Sequence, residues 1–125
     1  MLTFEELGEL LDELAEEFPP EFFAQLNGGI NLLPMAKQNE EAGDGEVYTM
    51  GTYCRDSLGR YINIYYGSIA IVCKGYSSGH LRDRMHRLLS HELTHHIESL
   101  AGERTLELRD EEQMERYRNG RFGWE

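Results

Sequence analysis

The stretch that decides the fold runs from His80 to Gly102 and reads HLRDRMHRLLSHELTHHIESLAG. Leu81, Met85, Leu88, Leu89, Leu93, His96, Ile97 and Leu100 recur at helical spacing. At roughly 100° per residue they form one wide apolar arc. The pattern predicts a long helix from His80 to Ala101, ended by Gly102. A helix with so broad an apolar face needs a sheet or further helices to cover it, so the fold class follows from what surrounds it.

The rest of the chain supplies that cover. Thr3 and Glu6 have the spacing of a capping box. Behind them Phe4, Leu7, Leu10, Leu11, Leu14 and Phe18 line one side of a predicted helix over residues 3–18, stopped by Pro19-Pro20. Glu21 to Leu26 reads as a short second turn of helix. Ile30 to Met35 reads as a short strand, and Pro34 puts it at an edge. Lys37 to Glu46 is polar and reads as a loop. Val47 to Cys54 and Arg60 to Tyr66 are predicted strands, joined into a hairpin by Asp56-Ser57-Leu58-Gly59. Ser68 to Cys73 is ambiguous: Ile69, Ile71 and Val72 favour a strand by propensity, but the segment is short and lies just before a helix. Asp110 and Gln113 have capping-box spacing, which predicts a last helix from Glu111 to about Asn119. The tail, with Phe122 and Trp124, packs back or frays. The sum is an α+β domain spanning residues 1–125, a small antiparallel or mixed sheet packed on a long helix, with N-terminal and C-terminal helices.

Within the long helix stands His91-Glu92-Leu93-Thr94-His95, an H-E-x-x-H. Residues four apart on a helix lie one turn above each other, so both imidazoles reach one metal ion. Glu92 is turned about 60° from the second histidine around the axis. It can there hold a metal-bound water without ligating the metal, and take the proton as the water attacks a carbonyl. With the histidine and glutamate content of this chain, chance placement yields the pattern about 0.03 times. The apolar arc raises its weight, because His91 and His95 fall together at one margin of it, where a cleft-lining ligand belongs. His96 falls inside the arc and reads as a packed histidine bonded to backbone. His80 and His86 read as surface residues.

A catalytic zinc site usually takes three protein ligands and keeps one open position. Four acids follow the motif. Glu98 shares the face of His91 and His95, Glu103 follows Gly102, and Glu107 and Asp110 come later. Asp110 is favoured on reach and on its place at a predicted helix start, although plain N-capping also accounts for it. Two imidazoles and a carboxylate favour Zn2+, with iron or nickel as other ions such ligands accept.

Twelve Lys and Arg stand against 23 Asp and Glu, a net charge of −11. Such a chain repels a phosphate backbone and an anionic membrane surface, which argues against nucleic acid and membrane partners. No apolar run approaches the ~20 residues that span a bilayer, and Met1 to Glu6 lacks the features of a secretory signal. The expected location is therefore cytoplasmic. Cys54 and Cys73 read there as buried free thiols; a disulfide between them is the reading for an exported chain.

The chain resembles the small bacterial zincin-like metallopeptidases. The likeness rests chiefly on Leu88-Leu89-Ser90-His91-Glu92-Leu93-Thr94-His95-His96. The acidic N-terminal helix, Gly51-Thr52-Tyr53 and the run Gly59 to Ser68 add support. The resemblance implies a minimal zincin fold, a short helix over Ser68 to Cys73, zinc ligation by His91 and His95, and Glu92 as general base. That family's longer pattern is H-E-x-x-H-x-x-G-x-x-D or its His variant. Here Glu98 stands at the glycine and Ala101 at the third ligand. The resemblance therefore moves that ligand further on, where Leu108-Arg109-Asp110-Glu111 looks like its displaced equivalent.

Three functions follow from these readings. The first is a zinc metallopeptidase acting on peptides or flexible protein segments. The second is a non-catalytic domain using the same metal ligands for stability or recognition. The third is an acidic interaction module without metal. Replacing Glu92 by Gln separates the first two, and metal analysis separates the third.

Overall fold

The computed structural model describes residues 1–39 and 47–118, with side chains as far as Glu103. Helix α1 (Phe4–Ala15) opens on Thr3, whose hydroxyl accepts the Glu6 amide at 3.1 Å while the Glu6 carboxylate accepts the Thr3 amide at 2.9 Å. The capping box forms as its spacing requires. The helix ends before Phe18, and a 3-10 turn over Pro20–Phe23 takes the place of the second short helix.

Five strands follow: β1 (Ile30–Leu33), β2 (Lys37–Gln38), β3 (Tyr48–Thr49), β4 (Gly51–Asp56) and β5 (Gly59–Tyr65). They form a three-stranded sheet of order β1-β5-β4 and a two-stranded antiparallel ribbon of β2 and β3. β4 and β5 are the expected hairpin, with Asp56 opposite Gly59. The Leu58 amide donates to Asp56 Oδ1 at 2.8 Å, and Gly59 takes a φ of +118°, a conformation that needs no side chain. β1 lies at the edge, as Pro34 implies, and runs parallel to β5 with Ile30 opposite Ile62. The sheet is therefore mixed. The expected single strand from Val47 to Cys54 is divided between β3 and β4, and residues 40–46 of the predicted loop lie outside the described residues.

Ser68 to Cys73 belongs to helix α2 (Tyr66–Val72), closed by Cys73. Burial overrides the β propensity here. Ile69 and Cys73, four residues apart, are both buried, and Ser68 is fully buried with its hydroxyl accepting the Lys37 amide at 2.8 Å. Only a helix puts those three side chains inward together. Cys54 and Cys73 are free thiols; Cys73 is buried, whereas Cys54 is half-exposed on the sheet and departs from the expected burial.

Helix α3 (Ser78–Arg118) is 41 residues long. It passes through Gly102 without ending and takes in the segment expected as a separate C-terminal helix. This corrects the predicted boundary. A glycine costs about 1 kcal/mol in a helix interior, too little to stop a chain of Glu, Arg and Leu on either side. The Asp110–Gln113 spacing thus lies inside one helix. The tail with Phe122 and Trp124 lies outside the described residues.

The core is where α1, α3 and the sheet meet. Leu7, Leu11 and Leu14 of α1, Ile62 and Ile64 of β5, and Leu81, Met85, Leu88, Leu89 and Leu93 of α3 are all buried in one cluster. Gly51 of β4 brings the strand down onto α3: a Cβ there would lie 3.1 Å from both Leu88 Cδ1 and Ile64 Cδ1. That close approach sets β4 beside the turn of α3 that carries His91 and Glu92. The architecture is α+β, with small sheets against a long helix. Among the described residues no helix is long and apolar enough to cross a membrane.

Candidate metal centre

The histidine stripe of α3 is pinned from behind. His96 is fully buried. Its Nε2 lies 2.7 Å from the Ala24 carbonyl and its Nδ1 lies 2.8 Å from the Tyr53 hydroxyl. A carbonyl only accepts, so Nε2 donates and, in the neutral ring, Nδ1 accepts from Tyr53. This is the packed histidine expected from the apolar arc, with one backbone partner and one side-chain partner. It ties α3 to β4 and to the 3-10 turn, and fixes the rotation of the helix one residue past His95.

On the opposite side His91 and His95 are exposed. Their rings stand at 89° with centroids 4.6 Å apart, and their Nε2 atoms are 3.1 Å apart. Zinc–imidazole bonds of about 2.0–2.1 Å at a tetrahedral angle place two nitrogens about 3.3 Å apart. At 3.1 Å the two Nε2 atoms hydrogen-bond to each other, one ring donating and the other accepting, and their separation is close to that of two nitrogens on one divalent ion. Glu92 points elsewhere. It is only 5% exposed, and burial pushes its carboxyl above the ordinary value while His91 and His95 pull it back. The carboxylate sits deeper than the imidazoles, on the wall of a groove of about 570 Å³. Arg84, Arg87, Leu88, His91 and Glu92 of α3 form one wall; Asn39, Tyr48 and Thr49 are among the residues opposite.

No protein-family model matches the chain, and no curated protein matches it. Among solved structures, a conserved hypothetical protein from Thermus thermophilus is similar, with 33% identity and a TM-score of 0.69 over 81% of this chain and 99% of that one. The chain belongs to that protein's family. The shared fold carries the α+β assignment, and the chemistry of the groove is read from its own residues.

The structure stacks His91 on His95 and places His91 and Glu92, but not His95, on the lining of the groove. It does not bring a third ligand to them: among the described residues no group of three or more His, Cys, Asp or Glu side chains is placed to hold a metal. The side chains of Glu107 and Asp110 lie outside the described residues. The backbone of Asp110 belongs to α3, fifteen residues beyond His95, a rise of about 22 Å along a continuous helix. Glu103 is engaged elsewhere, facing Arg55 and Arg60, which hold its carboxyl below the ordinary value. Glu98 is exposed on the histidine stripe.

His80 is exposed, as expected, and stacks on Tyr76 at 3.8 Å. His86 is half-buried against Phe18, with ring centroids 4.8 Å apart, and so is less superficial than its position suggested. Ile97, expected within the apolar arc, is 38% exposed. Sequence reasoning missed Arg84, Arg87, Tyr48 and Tyr53. For Arg87 a signal was present: it stands four residues before His91, one turn back on the same stripe.

Proposed function

We propose that this protein is a zinc-dependent peptidase that hydrolyses peptide bonds in the groove between α3 and the β3–β4 edge. The observation that carries the reading is the 3.1 Å approach of His91 Nε2 to His95 Nε2 beside the buried Glu92. His91 and His95 would supply two ligands to the ion. Zinc, when bound, supplies Lewis acidity and makes water acidic enough to act near neutral pH.

The chain's own groups account for the remaining work. Glu92 takes the proton of the water that adds to the scissile carbonyl, and gives it to the departing amine nitrogen. Burial favours this, since a carboxyl raised above its ordinary range is a stronger base once ionised. The groove walls exclude bulk water from one side and hold an extended peptide across the histidine pair.

The third ligand is an acid C-terminal to the motif. The sequence favours Asp110, whose backbone stands about 22 Å beyond His95 along α3. Glu98 needs only a side-chain rotation, since it stands three residues past His95 and its side chain leans toward the helix N-terminus. Metal affinity of Asp110→Ala and Glu98→Ala decides between them: the true ligand's variant falls by about two orders of magnitude and the other stays near the parent value. The expected place of action is a reducing compartment, the cytoplasm, which fits Cys54 and Cys73 standing outside any disulfide.

The deciding experiment measures metal content and peptide hydrolysis together. The parent protein should bind one divalent ion. His91→Ala and His95→Ala should each lose it. Glu92→Gln should keep it while turnover falls by about 10²–10⁴. Undiminished hydrolysis in Glu92→Gln, or a purified protein that takes up no divalent ion, overturns the reading. Metal retention with no hydrolysis by the parent points to the non-catalytic metal-binding domain instead.

A further inference from the structure

Among the described residues, the lining of the same groove carries charge of a sign opposite to the molecule's. The chain has a net charge of −11. Yet the charged residues lining the groove beside His91 are Arg84, Arg87 and Glu92, and Glu92 is buried. At 100° per residue, Arg84, Arg87, His91 and His95 fall within a stripe about 80° wide. The two guanidinium groups therefore extend the line of the histidine pair toward the helix N-terminus.

Arginines elsewhere in the described structure have carboxylate partners. Arg82 meets Glu13 and Glu17, and Arg55 and Arg60 meet Glu103. Arg84 also has a contact within the protein. Arg87 is exposed and makes no ion pair among the described residues. The facing residues Asn39, Tyr48 and Thr49 bring no carboxylate to neutralise it.

Resting on the peptidase reading, we infer that Arg87, flanked by Arg84, forms a subsite for an acidic side chain of the substrate. Spacing sets the position. Arg87 lies one turn, about 6 Å, from His91 along the helix axis. An extended peptide advances about 3.3 Å per residue and presents alternate side chains to one side. The acidic residue therefore lies two residues from the cleaved bond. Arg84, about 10 Å from His91 along the axis, flanks the same acidic residue from the far side. A guanidinium fork suits a carboxylate by charge and by paired N–H donors. Because Arg87 faces solvent, screening holds the preference to about two- to fivefold at low ionic strength, and salt reduces it.

The test compares two peptides that differ only in Glu or Gln two residues from the scissile bond, placed on each side of it in turn. Turnover is measured with the zinc-loaded parent. Binding of the intact peptides is measured with zinc-loaded Glu92→Gln protein. The expected result is about a two- to fivefold preference for Glu in both kcat/KM and Kd. That preference should fade with salt, fall to about one in Arg87→Ala and reverse toward a Lys peptide in Arg87→Glu. Equal kcat/KM and equal binding of the Glu and Gln peptides overturn the subsite, as does a preference that survives both Arg87 variants. Selective binding of the Glu peptide without cleavage of either supports the subsite and refutes the peptidase reading, so the two failures are distinct.

Discussion

Removing one oxygen atom from Tyr53 should loosen the grip on helix α3. In Tyr53→Phe the ring stays in place, so its packing on His96, with centroids 5.4 Å apart, is kept. What goes is the O–H donor that meets His96 Nδ1 at 2.8 Å. His96 has no exposed surface, so the nitrogen is left without a partner inside the protein. A buried polar group stranded in this way costs about 1–3 kcal/mol. For a chain of this size that lowers Tm by about 5–15 °C. Thermal and urea melts of the metal-free protein measure it directly. The cause is isolated by a cycle with His96→Leu: once the imidazole is gone, Tyr53→Phe should cost little, giving a coupling of about 1 kcal/mol or more. If Tyr53→Phe melts within about 0.5 kcal/mol of the parent, or costs the same in both backgrounds, the bond does not anchor α3 and the account of how the histidines are aimed is wrong.

Three further outcomes are expected. Thr3→Ala removes the hydroxyl that accepts the Glu6 amide and should cost about 1 kcal/mol in a denaturant melt, with Thr3→Ser recovering most of it. Gly67→Ala puts a Cβ 2.5 Å from the Ala36 nitrogen and 2.7 Å from the Met35 carbonyl carbon, so α2 must shift from the β1–β2 connection; about 2 kcal/mol is expected from the same measurement. The Tyr61 hydroxyl donates to Asp56 Oδ2 at 2.7 Å, which pushes the phenol up to about 12 and holds the Asp56 carboxyl below 3.8. In an ultraviolet titration Asp56→Asn should bring the Tyr61 phenol back toward 10.0. Because the Asp56 carboxyl is lowered on folding, its contribution to stability is present above its unfolded value and lost as pH falls through the lowered one.

Local signals carried most of the fold. The capping box at Thr3, the β4–β5 turn at Asp56 to Gly59 and the apolar spacing from Leu81 to Leu93 each stand in short windows, and each formed as read. The failures lie where distant parts of the chain decide. Ser68 to Cys73 is ambiguous between strand and helix until β2 and the core claim Ser68, Ile69 and Cys73 on one helical face, the short helix that the resemblance implies. The parallel pairing of β1 with β5 joins residues about thirty apart and has no local signature. The missed continuation of α3 has a different origin. Capping signatures are built from acids and amides, and in a chain with 23 Asp and Glu the spacing of Asp110 and Gln113 arises inside a helix as readily as at its start.

The same division runs through the candidate site. Spacing of four on a helix is enough to stack His91 on His95, so that pair was legible from residue numbers alone. Its surroundings were not. The facing wall depends on Gly51 meeting Leu88, which depends in turn on the register that sets Gly51 opposite Ile64. The depth of Glu92 follows from the same contact. One residue past His91 the helix has turned 100° toward β4, so the carboxylate goes under the strand while the imidazoles remain at the surface. The H-E-x-x-H segment thus acquires its polarity from tertiary packing. The two imidazoles stay exposed, and the carboxylate is the group deprived of water. A second H-E-x-x-H placed elsewhere on an exposed helix would retain the bite and lack the raised carboxyl. On the peptidase reading proposed above, burial of Glu92, more than the spacing of the histidines, distinguishes a hydrolytic site from a site that only binds metal.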